Sequence, residues 1–343
     1  MSATQSEPMA ADFSYLLRGQ RRDNEPLSKY TSWRVGGPAQ HLYVPADVAD
    51  LVNFMRSLPS GEAICFLGLG SNVLAPDSGV TGTVVLMHAA LNEMHLVQRD
   101  SASGAIYVQA GVAAPKVARF AAAAGLDGAE FLAGIPGTVG GALCMNAGCY
   151  GAETWDFVVD VLTIDRSGNL HTRLPREFEV SYRSVLSIAP HASSAGPKEE
   201  WSSRPILGEA GCSGAGAREE WFVAARLRFP TGDVAASQRR IKLLLNRRIA
   251  TQPLSEPNAG SVFRNPPGAH AARLIESCGL KGLQRGGAQV SLKHANFIVN
   301  RGEATAADIE ALIVTLQDTV LRETGVALLR EVRILQVSAQ RHG

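Results

Sequence analysis

At 343 residues and roughly 150 per domain, the chain is sized for two domains or three small lobes rather than one compact bead. Hydrophobic residues make up 45% and charged residues 19%, so a core can form and disorder can only be local. Thirty-three Lys+Arg against 32 Asp+Glu leave a net charge of +1. That gives no global field for nucleic acid or an anionic membrane, so an anionic ligand must be held by a local site.

Five cysteines without CxxC spacing argue against a disulfide framework or a thiolate zinc site and read as reduced thiols. The first residues, MSATQSEPMAADF, lack the basic start and apolar core of a secretory signal. The Ala-rich stretch from Phe120 to Gly125 is too short to span a bilayer. The expectation is a soluble cytoplasmic protein, a monomer with no nucleic-acid or membrane partner.

Residues 1–25 are polar and read as a flexible N-terminus, with order beginning near Tyr30 to Gly37 (YTSWRVGG). Ala63 to Leu67 reads as a buried strand running into the tight loop Gly68-Leu69-Gly70-Ser71-Asn72. Strands follow at Val80 to Met87 and Ala105 to Ala110. A helix over Ala114 to Ala124 is closed by Gly125. A second Gly-rich run then spans Gly134 to Gly141. Phe157 to Ile164 and Leu170 to Thr172 flank a hairpin turn, and Trp221 to Phe229 returns as a strand.

Between them, 20 of the 34 residues from Ser187 to Glu220 are Ala, Gly, Ser or Pro, which predicts a mobile surface insertion over 187–220. Asp233 to Ile249 is a basic helix whose arginines, 239–240 and 247–248, read as a solvated face. Thr305 to Asp308 is a capping box opening a helix with an apolar stripe that ends at Gly325, and Glu331 to Val337 is a terminal strand.

Two Gly-rich loops suggest a phosphate-bearing ligand, because backbone N–H groups without intervening side chains approach phosphate closely. Neither loop is a Walker motif, and the second follows a helix where a dinucleotide fingerprint follows a strand, so a Rossmann unit is disfavoured. The run Asn258 to Pro267 gathers a hydroxyl, a guanidinium and a carboxamide; alone, Ser261 reads as a turn or cap serine. Arg183 beside Tyr182, and Glu331 beside Arg333, read singly as surface ion-pairing residues at strand edges. His294 has no clustered His or Asp partners, so no metal site is supported.

In this order, TSWRVGGPAQ, LGLGSNVL, AGIPGTVGGALCMNAGCYG, SYRS, NAGSVFRNPPG, GLKGLQRGGAQVSLKHANFIVN and REVRIL resemble the UDP-N-acetylenolpyruvoylglucosamine reductase family, in its shorter type II branch. The resemblance covers Tyr30 to Leu335. It implies an α+β protein with a vanillyl-alcohol-oxidase-type FAD-binding fold of two lobes, 26–100 and 101–230, and an α+β substrate-binding domain over 231–343.

It further implies bound FAD, with NADPH as hydride donor. FAD would be cradled by Gly68, Gly70, Ser71, Asn72, Val73 and Leu74 on one side. On the other would stand Gly134, Ile135, Pro136, Gly137, Thr138, Gly140, Gly141 and Ala142, with Asn146 and Gly148 nearby. The implied reaction reduces the enolpyruvyl ether of a UDP-sugar, with hydride passing from the flavin N5 to C3 and a proton to C2. Arg183, Ser261 and Glu331 carry over as catalytic, Ser261 as the proton donor. Tyr182, Arg264, Asn265, Lys293 and His294 are implied substrate ligands, Arg264 and Asn265 at the diphosphate. A flavin oxidase of the same fold and a non-catalytic nucleotide-sugar sensor are the competing readings.

Overall fold

The computed structural model describes residues 16–188 and 219–335. Most of the expected N-terminal tail, the insertion between 189 and 218, and the end of the terminal strand lie outside the described residues.

The first lobe comprises β1 (Gln20–Pro26), β2 (Pro38–Val44), α1 (Val48–Ser57), β3 (Ile64–Leu67), β4 (Val73–Leu74) and β5 (Val80–Leu86). Its four-stranded sheet runs β1-β2-β5-β3, with β1 antiparallel to β2 and the other pairs parallel. β1 corrects the expectation of a flexible segment up to residue 25. Its sequence, QRRDNEP, is almost wholly exposed, because an edge strand can be charged on both faces and still pair through its backbone. The polarity that suggested disorder is that of a sheet edge.

The second lobe contains β6 (Met94–Arg99), β7 (Ser103–Gln109), α2 (Ala114–Ala123) and α3 (Val139–Cys144). Two small strands, β8 (Gly148–Cys149) and β9 (Ala152–Glu153), precede β10 (Val158–Asp165), β11 (Leu170–Arg173), β12 (Phe178–Ser181) and β13 (Ser184–Ser187). After the insertion come β14 (Glu220–Pro230) and α4 (Val234–Thr251).

The main sheet is antiparallel, β11-β10-β14-β7-β6, so β6 pairs here although the expected boundary at residue 100 put it in the first lobe. α4 also packs here rather than with the C-terminal domain: Ile241 enters the same core as Val117 and Ala121 of α2, and Arg240 pairs with Glu130 at 2.7 Å. α2 starts with Pro115 in its first turn and ends before Gly125, whose φ of 67° is the left-handed conformation that closes a helix.

The third unit has α5 (Ala271–Ser277), β15 (Gln284–Arg285), β16 (Ala288–Val290), β17 (Ile298–Asn300), α6 (Ala306–Thr324) and β18 (Arg333–Ile334). In α6 the capping box forms both ways, Asp308 N–H to Thr305 Oγ1 and Thr305 N–H to Asp308 Oδ2, each at 3.0 Å. Asp77 of the first lobe accepts from the N–H groups of Ala306 and Ala307 at 2.8 and 2.9 Å. Ile309, Leu312, Ile313, Leu316 and Val320 form the buried stripe of the helix.

Two connections fix this unit to the first lobe. β18 pairs in parallel with β4, immediately beyond the first glycine loop. Trp33, fully buried, donates from Nε1 to the Ile298 carbonyl at 2.7 Å, while Asn300 Nδ2 donates to the Trp33 carbonyl at 2.9 Å. Trp33→Phe strands the Ile298 carbonyl in the core and should cost about 1–3 kcal/mol, read as a lowered midpoint in urea unfolding.

Candidate active site: a cleft between two glycine loops

The two glycine loops face each other across a cleft enclosing about 1540 Å³, its open mouth included. The first loop is set by the chain before it. Gly70 has φ 61°, and a Cβ there would stand 2.0 Å from the Tyr30 carbonyl oxygen, so only glycine fits. The Gly70 carbonyl in turn accepts from Ser32 N–H at 3.0 Å. A Cβ on Gly68 would strike Thr138 Oγ1 at 2.4 Å, which holds the loops in close apposition. Thr138 itself caps α3, accepting from Gly141 N–H.

Among the described residues, the backbone N–H groups of Gly68 to Asn72, Gly137 and Thr138 donate to no protein carbonyl. Donors in need of an acceptor, on loops thinned of side chains, fit the pyrophosphate of a dinucleotide. Phe66, Leu67, Met87, Ala110, Trp221 and Phe222 supply an apolar wall for aromatic rings.

Arg183, Ser261 and Glu331 all line this cleft. Arg183 sits in the two-residue turn between β12 and β13 with φ 56°, a left-handed conformation costing about 1 kcal/mol for a residue with a Cβ. Asn146, buried and also left-handed at φ 38°, supports that turn by donating to the Ser181 carbonyl at 3.4 Å. The Arg183 guanidinium lies 5.8 Å from the Tyr182 ring centroid.

Glu331 enters from the other side. Its N–H donates to the Val262 carbonyl at 2.8 Å, and its own carbonyl accepts from Asn72 Nδ2 at 3.1 Å. Arg183 Nε then stands 3.0 Å from Glu331 Oε1, as an ion pair without hydrogen-bond alignment. Burial pushes the Glu331 carboxyl above the usual glutamate range, against the opposing pull of Arg183 and Arg264. The buried Nε groups of both arginines lack a hydrogen-bond acceptor among the described residues.

Most of the sequence-stated cofactor residues come together here: Gly68, Gly70, Ser71, Asn72 and Val73, the second loop from Gly134 to Ala142 apart from Val139, and Gly148. Leu74 instead packs in the C-terminal core, and the Asn146 carboxamide is committed to Glu153, Ser181 and Trp155 behind the wall. Asn265 and His294 line a second cavity that touches the first at Ser261. Lys293 Nζ reaches the Ile249 carbonyl at 2.6 Å, and Tyr182 is half exposed.

Arg248 was missed. It lines the cleft with Gln252, which accepts from its Nε at 2.8 Å, and burial holds its pKa below the ordinary value. The signal was present: Arg248 is seven residues, two helical turns, beyond the buried Ile241 and so shares its face. Cys149, missed as well, lines the same wall, and burial raises its thiol pKa.

Opposed glycine loops whose amides find no acceptor among the described residues, an apolar ring wall and a buried acid near two guanidiniums suit a dinucleotide cofactor such as that of an FAD-binding oxidoreductase. Comparison with known proteins gives the family. Residues 39–173 match the model described as FAD binding domain, and residues 252–335 match that of the UDP-N-acetylenolpyruvoylglucosamine reductase C-terminal domain. A protein of that name from Thiobacillus denitrificans is 53% identical over 329 residues, covering 93% of both chains. Another from Nitrosospira multiformis is 52% identical, covering 94% of this chain and 91% of its own. The crystal structure of a Thermus caldophilus reductase of this name aligns with a TM-score of 0.69 at 30% identity, over 93% of this chain and 99% of its own. The chain belongs to the UDP-N-acetylenolpyruvoylglucosamine reductase family, FAD-dependent enzymes of peptidoglycan synthesis.

The raised Glu331 pKa has a consequence for stability. In the folded state the proton is held to a higher pH than in the unfolded chain, so the native state binds more protons in between. Stability is then full below the ordinary glutamate range and falls as pH rises through the raised value. Glu331→Gln keeps the side chain neutral at every pH. Thermal unfolding of the cofactor-stripped variant and parent should agree near pH 4 and diverge in the variant's favour by pH 8.

Proposed function

We propose that the chain reduces the enolpyruvyl ether of UDP-N-acetylglucosamine-enolpyruvate to the lactyl ether, giving UDP-N-acetylmuramate, with NADPH as the source of reducing equivalents. The observation that carries this reading is the convergence of Ser261, Arg183 and Glu331, from three separate segments, on one cleft between the glycine loops. FAD, when bound there, supplies the hydride chemistry.

Adding hydride to C3 of the enolpyruvyl group drives negative charge toward C2 and its carboxylate. Arg183 meets that charge with a guanidinium fork whose buried Nε has no hydrogen-bond acceptor among the described residues. Glu331, its carboxyl pKa raised by burial, would orient the substrate carboxylate by hydrogen bonding. Ser261 gives the proton to C2. A hydroxyl is a weak acid, and it serves because the acceptor is a strong carbon base held beside it.

The second cavity extends the cleft past Ser261 toward Asn265, His270, Arg273 and His294. Its position supports a place for the UDP portion, with Asn265 at the diphosphate; Arg264, also implied at the diphosphate, is not among the residues lining either cavity. Burial lowers the His294 pKa, and its Nδ1 accepts from Asn296 N–H, so in the neutral ring Nε2–H is the free donor. Tyr182 and Lys293 adjoin Arg183 and His294 in sequence but are not among the residues lining either cavity.

Anaerobic stopped-flow separates the half-reactions. Ser261→Ala should leave flavin reduction by NADPH within about twofold of the parent and slow flavin reoxidation by the enolpyruvyl UDP-sugar by about 10²–10⁴. Equal losses in both half-reactions would refute the proton-donor role.

A further inference from the structure

The roles given to Ser261 and Arg264 depend on a stretch of chain with little secondary structure of its own. Asn258 ties its start: Nδ2 donates to the carbonyls of Pro253 and Glu256 at 3.0 and 2.7 Å, and Oδ1 accepts from Gly260 N–H at 3.0 Å. Along one edge, Val262 and Arg264 bond to the terminal segment, Glu331 N–H to the Val262 carbonyl at 2.8 Å and Arg264 N–H to the Leu329 carbonyl at 2.9 Å. Beyond the bridge of Asn258 to Val299 of β17, the other edge opposite Phe263 has no strand beside it among the described residues.

One side chain takes the place of that strand. Asn296 is 4% exposed, and its carboxamide spans Phe263: Oδ1 accepts from Phe263 N–H at 3.0 Å and Nδ2 donates to the Phe263 carbonyl at 2.8 Å. The Asn296 backbone carbonyl also accepts from Val262 N–H at 2.9 Å. A carboxamide has the donor and acceptor of a peptide group, so it can close a ladder where no second strand fits.

Asn296 is itself fixed in a tight turn. Ser291 Oγ accepts from Lys293 N–H at 3.1 Å, Ser291 N–H donates to the Phe297 carbonyl at 2.8 Å, and Asn296 N–H donates to His294 Nδ1 at 3.3 Å.

We propose that Asn296 is a positioning residue for the proton transfer, pinning Phe263 so that Ser261, two residues before it, and Arg264, immediately after, are presented to the substrate together. The proposal rests on the reading of Ser261 as proton donor. Misplacement of a reacting group by about 1 Å costs on the order of 10²-fold in rate. Loss of the clamp should therefore be felt in the step that uses Ser261 and little in the step that does not.

The test uses full-length holoenzyme with Asn296→Ala, Asn296→Asp and Ser261→Ala. For Asn296→Ala, flavin reduction by NADPH should stay within about threefold of the parent. Reoxidation by the enolpyruvyl UDP-sugar should slow by about 10–100-fold, with a larger solvent deuterium isotope effect. Asn296→Asp adds a readout that packing alone would not move. As a neutral acid it can make both Phe263 bonds, whereas ionised it loses the donor and sets a charge against the Phe263 carbonyl.

The ratio of its reoxidation rate to the parent's should approach one at low pH and fall as pH rises, while the ratio for flavin reduction stays level. His294 on the same turn, His270 and Arg273 across the second cavity, and Arg264, Arg330 and Glu331 nearby are common to both proteins and cancel in the ratio. Proportional loss of both half-reactions in Asn296→Ala, or a pH-independent ratio in Asn296→Asp, would overturn the proposal. If Ser261→Ala reoxidises at the parental rate, the proton-donor reading itself has failed. If it is slow while both Asn296 variants are normal, only the positioning role has.

Discussion

Backbone amides that are to meet a ligand cannot also be committed to the fold, yet they must not move. This constraint organises the molecule. The first glycine loop leaves its N–H groups unpaired and is instead secured from behind, by Ser32 on the Gly70 carbonyl and by β18 laid along β4. The second is secured by Thr138, whose hydroxyl both caps α3 and fills the space a side chain at Gly68 would need. The cores on either side, one around α2 and the antiparallel sheet and one around α6, hold these supports at fixed separation.

The electrostatics follow from the same geometry. A carboxylate moved out of water is disfavoured, and a neighbouring guanidinium only partly offsets that cost. At Glu331 burial prevails over two arginines. The cleft thus combines a carboxyl pushed toward its neutral form with an Arg183 Nε that finds no hydrogen-bond acceptor among the described residues. Such an arrangement suits an anionic ligand that gains charge during reaction better than one that stays neutral.

Legibility from sequence varied with the kind of signal. α2 and α6 were readable because their apolar spacing, capping residues and closing glycines agree. The glycine loops were readable because only glycine tolerates Gly70's backbone and contacts. β1 was hidden by the charge of an exposed edge, and α4 was assigned to the wrong neighbour because a basic helix does not announce which core its few apolar residues enter.

Single residues were least legible. Arg183 and Glu331 each read as ordinary surface groups, and their pairing depends on a tertiary approach that no local pattern encodes. The seven motifs in order supplied what periodicity could not, the expectation that these segments meet. They did not reveal Arg248 in the wall or the Asn146 carboxamide turned away from it.

Asn72 and Glu331 are 259 positions apart, and their contact is made just before β18, the last described strand. A ribosome must therefore add 259 residues after Asn72 before Glu331 can reach it. Both glycine loops are synthesised long before their partner, so the first loop waits on a late segment for the strand that secures it.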